Sequence, residues 1–334
     1  MIAEILYLSR QDLIGLGISI RDTIAVVEDA LRQQAAGQVL MPDKVGMNYL
    51  PNRFLHAMPA FIPAQQALGM KWVGSIPENN ANDLPQITGL VVLNDPETGF
   101  PVAVLDGTWI TAMRTGAVSA ITARHLAPRD VQVLGLVGCG VQMRTQLLAL
   151  ATVLKPRQVR VYDVRPHAMD AFVSQMSQLV EAPIEPCGGP REAVEGADVA
   201  VSATWLLSEP NPIIKDAWLK PGALALPIDV TSVWEPRALK RVDKFVTDRW
   251  EPLTHFGDSG GFPEGLPTLH AELHEIVSGA RPGRESDDER IMAMNTGMAI
   301  EDMTMAKLAY ERARARGLGT RLPFIQSREE VFQF

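Results

Sequence analysis

Apolar residues change their spacing several times along the chain, and each change marks an expected element. Residues 2–8 form a short apolar run closed by Ser9, Arg10, Gln11 and Asp12. This reads as a strand, with Ser9 and Asp12 placed as a capping box for a following helix. From Gln11 to about Gln38 apolar positions, including Ile24, Val27 and Leu31, recur at helical spacing, and Gly15 with Gly17 breaks the run early. Between Asp43 and Leu105 segments rich in Val, Ile, Leu and Phe alternate with Pro, Asn and Gly, the pattern of a sheet. The turn sequence Asp95-Pro96-Glu97-Thr98-Gly99 separates residues 90–93 from 102–105 and predicts a hairpin.

The middle of the chain has a different rhythm. An apolar run at 131–137 is followed by Gly138-Cys139-Gly140 and a helical stretch at about 142–154. Residues 158–162 read as the next strand and 165–179 as the next helix. Short apolar strands continue at 197–203, 223–228 and 244–247. Strand–helix alternation of this kind predicts a parallel sheet covered on both faces, an α/β architecture. A long amphipathic helix is expected at 298–316, stopped by Gly317, and 278–289 reads as a solvated loop. No internal repeat or low-complexity stretch interrupts the pattern.

The glycine turn carries the first chemistry. Gly138 and Gly140 stand directly after a strand and open a helix. A dinucleotide-binding fold needs one glycine there for the tight turn and one for close backbone approach to the pyrophosphate. The N–H groups of the helix start, at Val141 and Gln142, then face the phosphate charge. The third glycine of the full fingerprint is absent, since Met143 stands in its place. Asp163 ends the next strand, where an acidic side chain accepts the ribose hydroxyls of NAD, or where it caps the following helix. An acid there disfavours the 2′-phosphate of NADP, although Arg165 two residues on keeps NADP open.

Composition narrows the class. A chain of 334 residues exceeds one compact core and suits two domains. The formal net charge of −8, with no basic run to offset it, argues against nucleic acid and anionic membrane as partners. Two cysteines, Cys139 and Cys187, are too few for a disulfide framework and point to the cytoplasm. The early Glu4 and the absence of a basic start argue against a signal peptide. No His, Cys and carboxylate residues fall at metal-ligand spacing, so no metal is expected. His56 and His270 belong to no motif and read as structural.

The chain resembles the ornithine cyclodeaminase/mu-crystallin family over nearly its whole length. The resemblance rests on Gly69-Met70-Lys71-Trp72-Val73, Pro77-Glu78-Asn79, Leu84-Pro85 and Gly89, then on Thr98-Gly99-Phe100-Pro101 and Leu105-Asp106-Gly107. It continues through Thr111-Ala112-Met113-Arg114-Thr115-Gly116-Ala117, Gly138-Cys139-Gly140-Val141-Gln142 and Gly297-Met298-Ala299-Ile300-Glu301-Asp302. It implies a substrate-binding and dimerisation domain of α+β type at 1–115 with 297–334. It also implies a doubly wound, Rossmann-type dinucleotide domain at 116–296. The family's substrate lysine falls on Lys71, its arginine near the cofactor on Arg114 and its proton-transferring aspartate on Asp229. Thr204, Asn295 and Thr296 fall where cofactor-side or substrate-side groups are expected, and Lys44 matches an upstream carboxylate-binding residue. Three departures stand out: Gln86 in place of a threonine, a shortened 221–229 stretch, and a segment at 255–262 without a counterpart.

Taken as residues alone, each of these positions has a plainer reading. Lys71 sits equally well as a strand lysine facing water, Arg114 as half of a salt bridge, and Asp229 as a turn residue, with Ser232 the better cap for a helix near 235–239. If the resemblance holds, Lys71 and Asp229 act on the substrate and Arg114 on the nicotinamide cofactor that reacts with it. The leading expectation is an NAD-dependent amino-acid dehydrogenase or imine reductase, working as a homodimer on a small amino or imino acid. A cyclodeaminase-type lyase that recycles bound NAD, and a non-catalytic binding protein, are the alternatives.

Overall fold

The computed structural model describes residues 3–50, 53–82, 84–207 and 209–325. Ile2, the expected start of the first strand, and residues 326–334 of the expected first domain lie outside them. In chain order the strands are β1 (Ala3–Leu8), β2 (Val45–Leu50), β3 (Arg53–Ile62), β4 (Ala67–Ser75), β5 (Ile87–Asn94) and β6 (Pro101–Asp106). They continue as β7 (Val133–Val137), β8 (Gln158–Tyr162), β9 (Ile184–Pro186), β10 (Val199–Ser202) and β11 (Leu224–Pro227). The last four are β12 (Lys244–Thr247), β13 (Leu269–Glu272), β14 (Ile291–Ala293) and β15 (Thr320–Ile325). The helices are α1 (Arg10–Gly15), α2 (Ile20–Ala35), α3 (Gly107–Leu126), α4 (Val141–Val153) and α5 (Pro166–Met176). After them come α6 (Pro190–Val194), α7 (Trp250–Asp258), α8 (Leu273–Val277) and α9 (Ala299–Arg316). Two compact units result: the chain up to Arg114 together with the chain from Ala299 onward, and Thr115–Met298.

The first unit is a seven-stranded mixed sheet in the order β15-β1-β6-β5-β4-β3-β2. Its β1–β6 pair is parallel and the remaining pairs are antiparallel. Capping boxes at Ser9/Asp12 and Ser19/Asp22 start α1 and α2. The β5–β6 hairpin forms as its turn sequence predicts, with Asp95 Oδ1 accepting from the N–H groups of Glu97 and Thr98. α9 packs along β3, β4 and β5 and buries one face of the sheet. Paired residues share a face, so the row Met58–Lys71–Val91 faces inward and the row Val45–Ala57–Trp72–Leu90 faces away.

The second unit is an eight-stranded sheet, β13-β12-β14-β11-β10-β7-β8-β9, with every pair parallel. Alternate residues of one strand feed different cores. Val199 and Val201 of β10 join Leu147, Val161 and Phe172, while Ala200 joins Trp234, Phe245 and Met292. Both faces are therefore covered, as expected of a doubly wound sheet. The chain turns back at β7, whose neighbours β8 and β10 lead away in opposite directions.

The structure adds elements that the apolar pattern did not announce. Strands of three or four residues, such as β9 and β14, are too short to display a period. α3 is missed because small and β-branched residues from Ala117 to Ala123 are buried on every side of it. The expected amphipathicity of α9 holds only for its second half, since Ala299–Ala306 is buried throughout. Half of the segment without a family counterpart belongs to α7, and Phe256 stacks edge-on against Phe262. Among the described residues no helix is long and apolar enough to cross a membrane.

Candidate active site

The glycine turn is hydrogen-bonded to the end of β8 and packs closely against the end of β10. Gly138 donates its N–H to the Tyr162 carbonyl at 2.8 Å, and Cys139 donates to Asp163 Oδ2 at 2.8 Å. Gly138 has φ +102°, and a Cβ there would meet the Ala203 carbonyl oxygen at 2.5 Å. No other residue fits that position. Gly140 is the N-cap of α4 with no side-chain cap, and a Cβ on it would meet nothing within 4 Å. The opening turn of α4 thus faces open space, with exposed Val141 and then Gln142, whose amide donates to Thr145 Oγ1 at 3.1 Å. This is a cradle for a phosphate, and the residues fit a dinucleotide. Burial pushes the Cys139 thiol up to about 12, so it is no nucleophile.

Asp163 does not cap α5, because Arg165 holds the N-cap position. Its carboxylate instead clasps the glycine turn with one oxygen. With the other it accepts from Arg165 N at 2.9 Å and Arg165 Nε at 3.3 Å. Three donors leave a carboxylate lone pair free, enough for a ribose hydroxyl.

Farther along the same sheet edge stand the other expected residues. Asp229, just past β11 and 1% exposed, accepts from Ser202 Oγ at 2.5 Å, Thr204 Oγ1 at 2.6 Å and Thr204 N at 2.9 Å. Burial raises its pKa, and the Ser202 and Thr204 hydrogen bonds oppose that rise. Ser232 is not the cap of the short helix at Pro236–Leu239; its hydroxyl accepts from Leu207 N at 3.1 Å and leaves that helix without a side-chain cap. Asn295 donates to Thr122 Oγ1 at 3.0 Å, and its Oδ1 is buried with no hydrogen-bond partner among the described residues. Thr296 N and Gly297 N both donate to Asp248, at 3.0 and 2.5 Å. Asp248, fully buried after β12, is a residue that the sequence did not reveal. It shapes the Asn295–Thr296 loop only because β12 lies beside β14.

In the first unit Lys71 is buried, which decides against a lysine facing water. Its Nζ lies 2.5 Å from Asp302 Oδ2 and 3.4 Å from Thr111 Oγ1. Arg114 reaches the other Asp302 oxygen through Nε at 3.1 Å and Glu301 through Nη1 at 2.9 Å. Two cations and two carboxylates therefore form one buried network. Such a network is a weak source of stability compared with apolar packing, so its presence calls for another explanation. Burial pushes the Lys71 ammonium down to about 8, with Asp302 opposing and Arg114 and Lys44 assisting. Burial, with half-buried Lys44 just before β2 and Lys71 adding their charge, lowers His56 to about 4. His56 thus lies in the field of this cluster as a neutral imidazole. The signal that could have exposed Glu301 and Asp302 is their place in the apolar run Met298–Met305, where adjacent acids require cations.

The ornithine cyclodeaminase/mu-crystallin family model matches residues 7–317. The chain belongs to this family. The alanine dehydrogenase of Archaeoglobus fulgidus is 35% identical over 333 residues, covering 97% of this chain and 99% of its own. The Thermococcus litoralis Δ1-pyrroline-2-carboxylate reductase, solved with NADH and L-proline, superposes with a TM-score of 0.86. It is 34% identical and covers 95% of this chain and all of its own (100%). An archaeal alanine dehydrogenase dimer with bound NAD gives 0.85 at 34% identity, over 96% of this chain and 100% of that one. As a family member the protein carries Lys44, Lys71 and Arg114 in one charged cluster of the first unit. Gly138, Gly140, Asp163, Thr204, Asp229, Asn295 and Thr296 follow the carboxyl ends of parallel strands in the second, where α/β sheets receive ligands.

Proposed function

We propose that the protein is an NAD-dependent oxidoreductase acting on the C–N bond of a small amino or imino acid, as an amino-acid dehydrogenase or imine reductase. The observation that carries this reading is a phosphate-ready glycine turn, clasped by Asp163, in a chain that also holds a buried lysine at the family's substrate position. Bound NAD(H) supplies hydride exchange with the substrate carbon. Gly138, Gly140 and the N–H groups of Val141 and Gln142 hold its pyrophosphate, and Asp163 its ribose. Arg114, Thr204 and Asn295 serve the nicotinamide half.

Lys71 and Lys44 draw the α-carboxylate by charge, and Thr296 adds a hydroxyl on the substrate side. Asp229, whose carboxyl burial biases towards the protonated form, handles the proton at nitrogen. The first unit serves substrate binding and dimerisation, the second the dinucleotide. Two buried free cysteines accord with a cytoplasmic protein. The lyase alternative is less favoured, because the relatives of 34–35% identity carry dehydrogenase and reductase names. Incubation of NADH with cyclic imino acids, or with 2-oxo acids and ammonia, tests the proposal. Sustained loss of absorbance at the nicotinamide band is the expected result, and its absence with every substrate would refute it.

A further inference from the structure

Trp234 is fully buried in the second unit, in the apolar core that also holds Ala200, Phe245 and Met292. An apolar core does not require an indole N–H, yet Trp234 Nε1 donates to Ser202 Oγ at 2.7 Å. Ser202, the last residue of β10 and fully buried, donates in turn to Asp229 Oδ1 at 2.5 Å. Indole, hydroxyl and carboxylate thus form one line, and its direction is fixed. An indole N–H only donates, so it occupies a lone pair of the hydroxyl and leaves the hydroxyl proton to Asp229. Donors chained in this way polarise one another and strengthen the last bond.

The local fold brings the indole to this place. Val230 follows Asp229 at φ +57°, a left-handed backbone that β-branched residues rarely adopt. The Ser232 N–H closes the turn on the Asp229 carbonyl at 3.1 Å, and a bridge to Ile214 then pins Trp234. The charged side chains of this neighbourhood, Asp216, Glu235, Arg237 and Arg241, pair with one another. Among the described residues Asp229 is therefore met by hydrogen bonds from Ser202 and Thr204 rather than by a cation. Burial raises its pKa, and the Ser202 bond is the foremost of the effects that oppose the rise.

We propose that Trp234 and Ser202 are positioning residues that hold the Asp229 carboxylate in its proton-accepting state, aimed by a hydroxyl of fixed direction. The inference rests on the proton role given to Asp229 above. In the oxidative direction the ionised carboxylate takes one proton from the substrate ammonium and becomes the neutral acid. The amine so freed is the form that yields hydride to bound NAD; in the reductive direction the acid returns the proton.

A proton–nitrogen correlation spectrum resolves the indole N–H groups of the six tryptophans, and Trp234→Phe identifies the signal concerned. Should that variant fail to fold, the change in Ser202→Ala identifies it instead. In the wild type this signal should move with pH as Asp229 titrates, above the ordinary carboxylate range, and it should stay still in Asp229→Asn. Ser202→Ala should also carry the acid limb of kcat/KM for amino-acid oxidation upward by about one pH unit or more, the scale of one hydrogen bond to a charged group. Trp234→Phe retains an aromatic ring in the core and should move the limb the same way by less. An indole signal indifferent to pH, or one that still titrates in Asp229→Asn, would overturn the proposal. So would an acid limb unmoved in both variants. A chain that oxidises no amino acid would instead remove the proton role of Asp229, while the indole titration still decides whether the relay exists.

Discussion

In the proposed function Lys71 is the residue on which the chemistry turns, and its environment fixes the expected pH behaviour. Burial dominates and brings its pKa from 10.5 to about 8. The unfolded chain then holds more protons than the folded one between those values, so this residue favours the fold increasingly as pH rises through that window. For reduction of an imino acid the ammonium is the useful form, so kcat/KM should fall as pH rises through about 8. Lys71→Arg, charged at all accessible pH, should abolish that alkaline limb in a pH–rate profile; an unchanged limb would assign it to another group. Lys71→Ala should lower kcat/KM by roughly 10²-fold or more with NADH affinity intact. Asp163 governs the second expectation. Asp163→Ala should narrow the NADH over NADPH preference in kcat/KM, and a wild-type preference for NADPH would contradict its role. Lys71 was ambiguous in sequence because Met70, Trp72 and Val73 suit either strand face. The deciding partner, Asp302, lies more than two hundred residues away. Asp248 was invisible for the same reason, its role arising only from two strands that meet in space.

Elements with a local signature were legible. The strands Gln158–Tyr162 and Lys244–Thr247, the Ser9/Asp12 capping box and the β5–β6 hairpin all follow from short stretches of sequence. α3 was not legible, because burial on all sides erases the periodicity that amphipathic helices display. The sheet of the first unit leads to a further expectation. Its inward row is covered by α9, yet Val45, Met47, Trp72 and Leu90 remain exposed on the other face. A continuous apolar sheet face of this kind marks an association surface, and self-pairing about a two-fold axis would cover it. Sedimentation at micromolar concentration should give a dimer, and Trp72→Glu should shift it to a monomer. A monomeric wild-type protein would contradict this arrangement.

Family membership was legible in the whole molecule because its motifs are spread from the first sheet to the last helix, within the matched span of residues 7–317. The substrate was not legible, since selectivity depends on the shape of a pocket rather than on any single motif. In the proposed function, what unites the buried lysine, the clasped glycine turn and the Asp229 carboxyl is hydride exchange at a carbon bound to nitrogen. The decisive measurement supplies NADH deuterated at the transferable position together with a cyclic imino acid, and follows the product by mass spectrometry. The expected result is one deuterium on the α-carbon of the amino acid for each NADH consumed. Product without deuterium, or ammonia released from a diamino acid with no net loss of NADH, would contradict it.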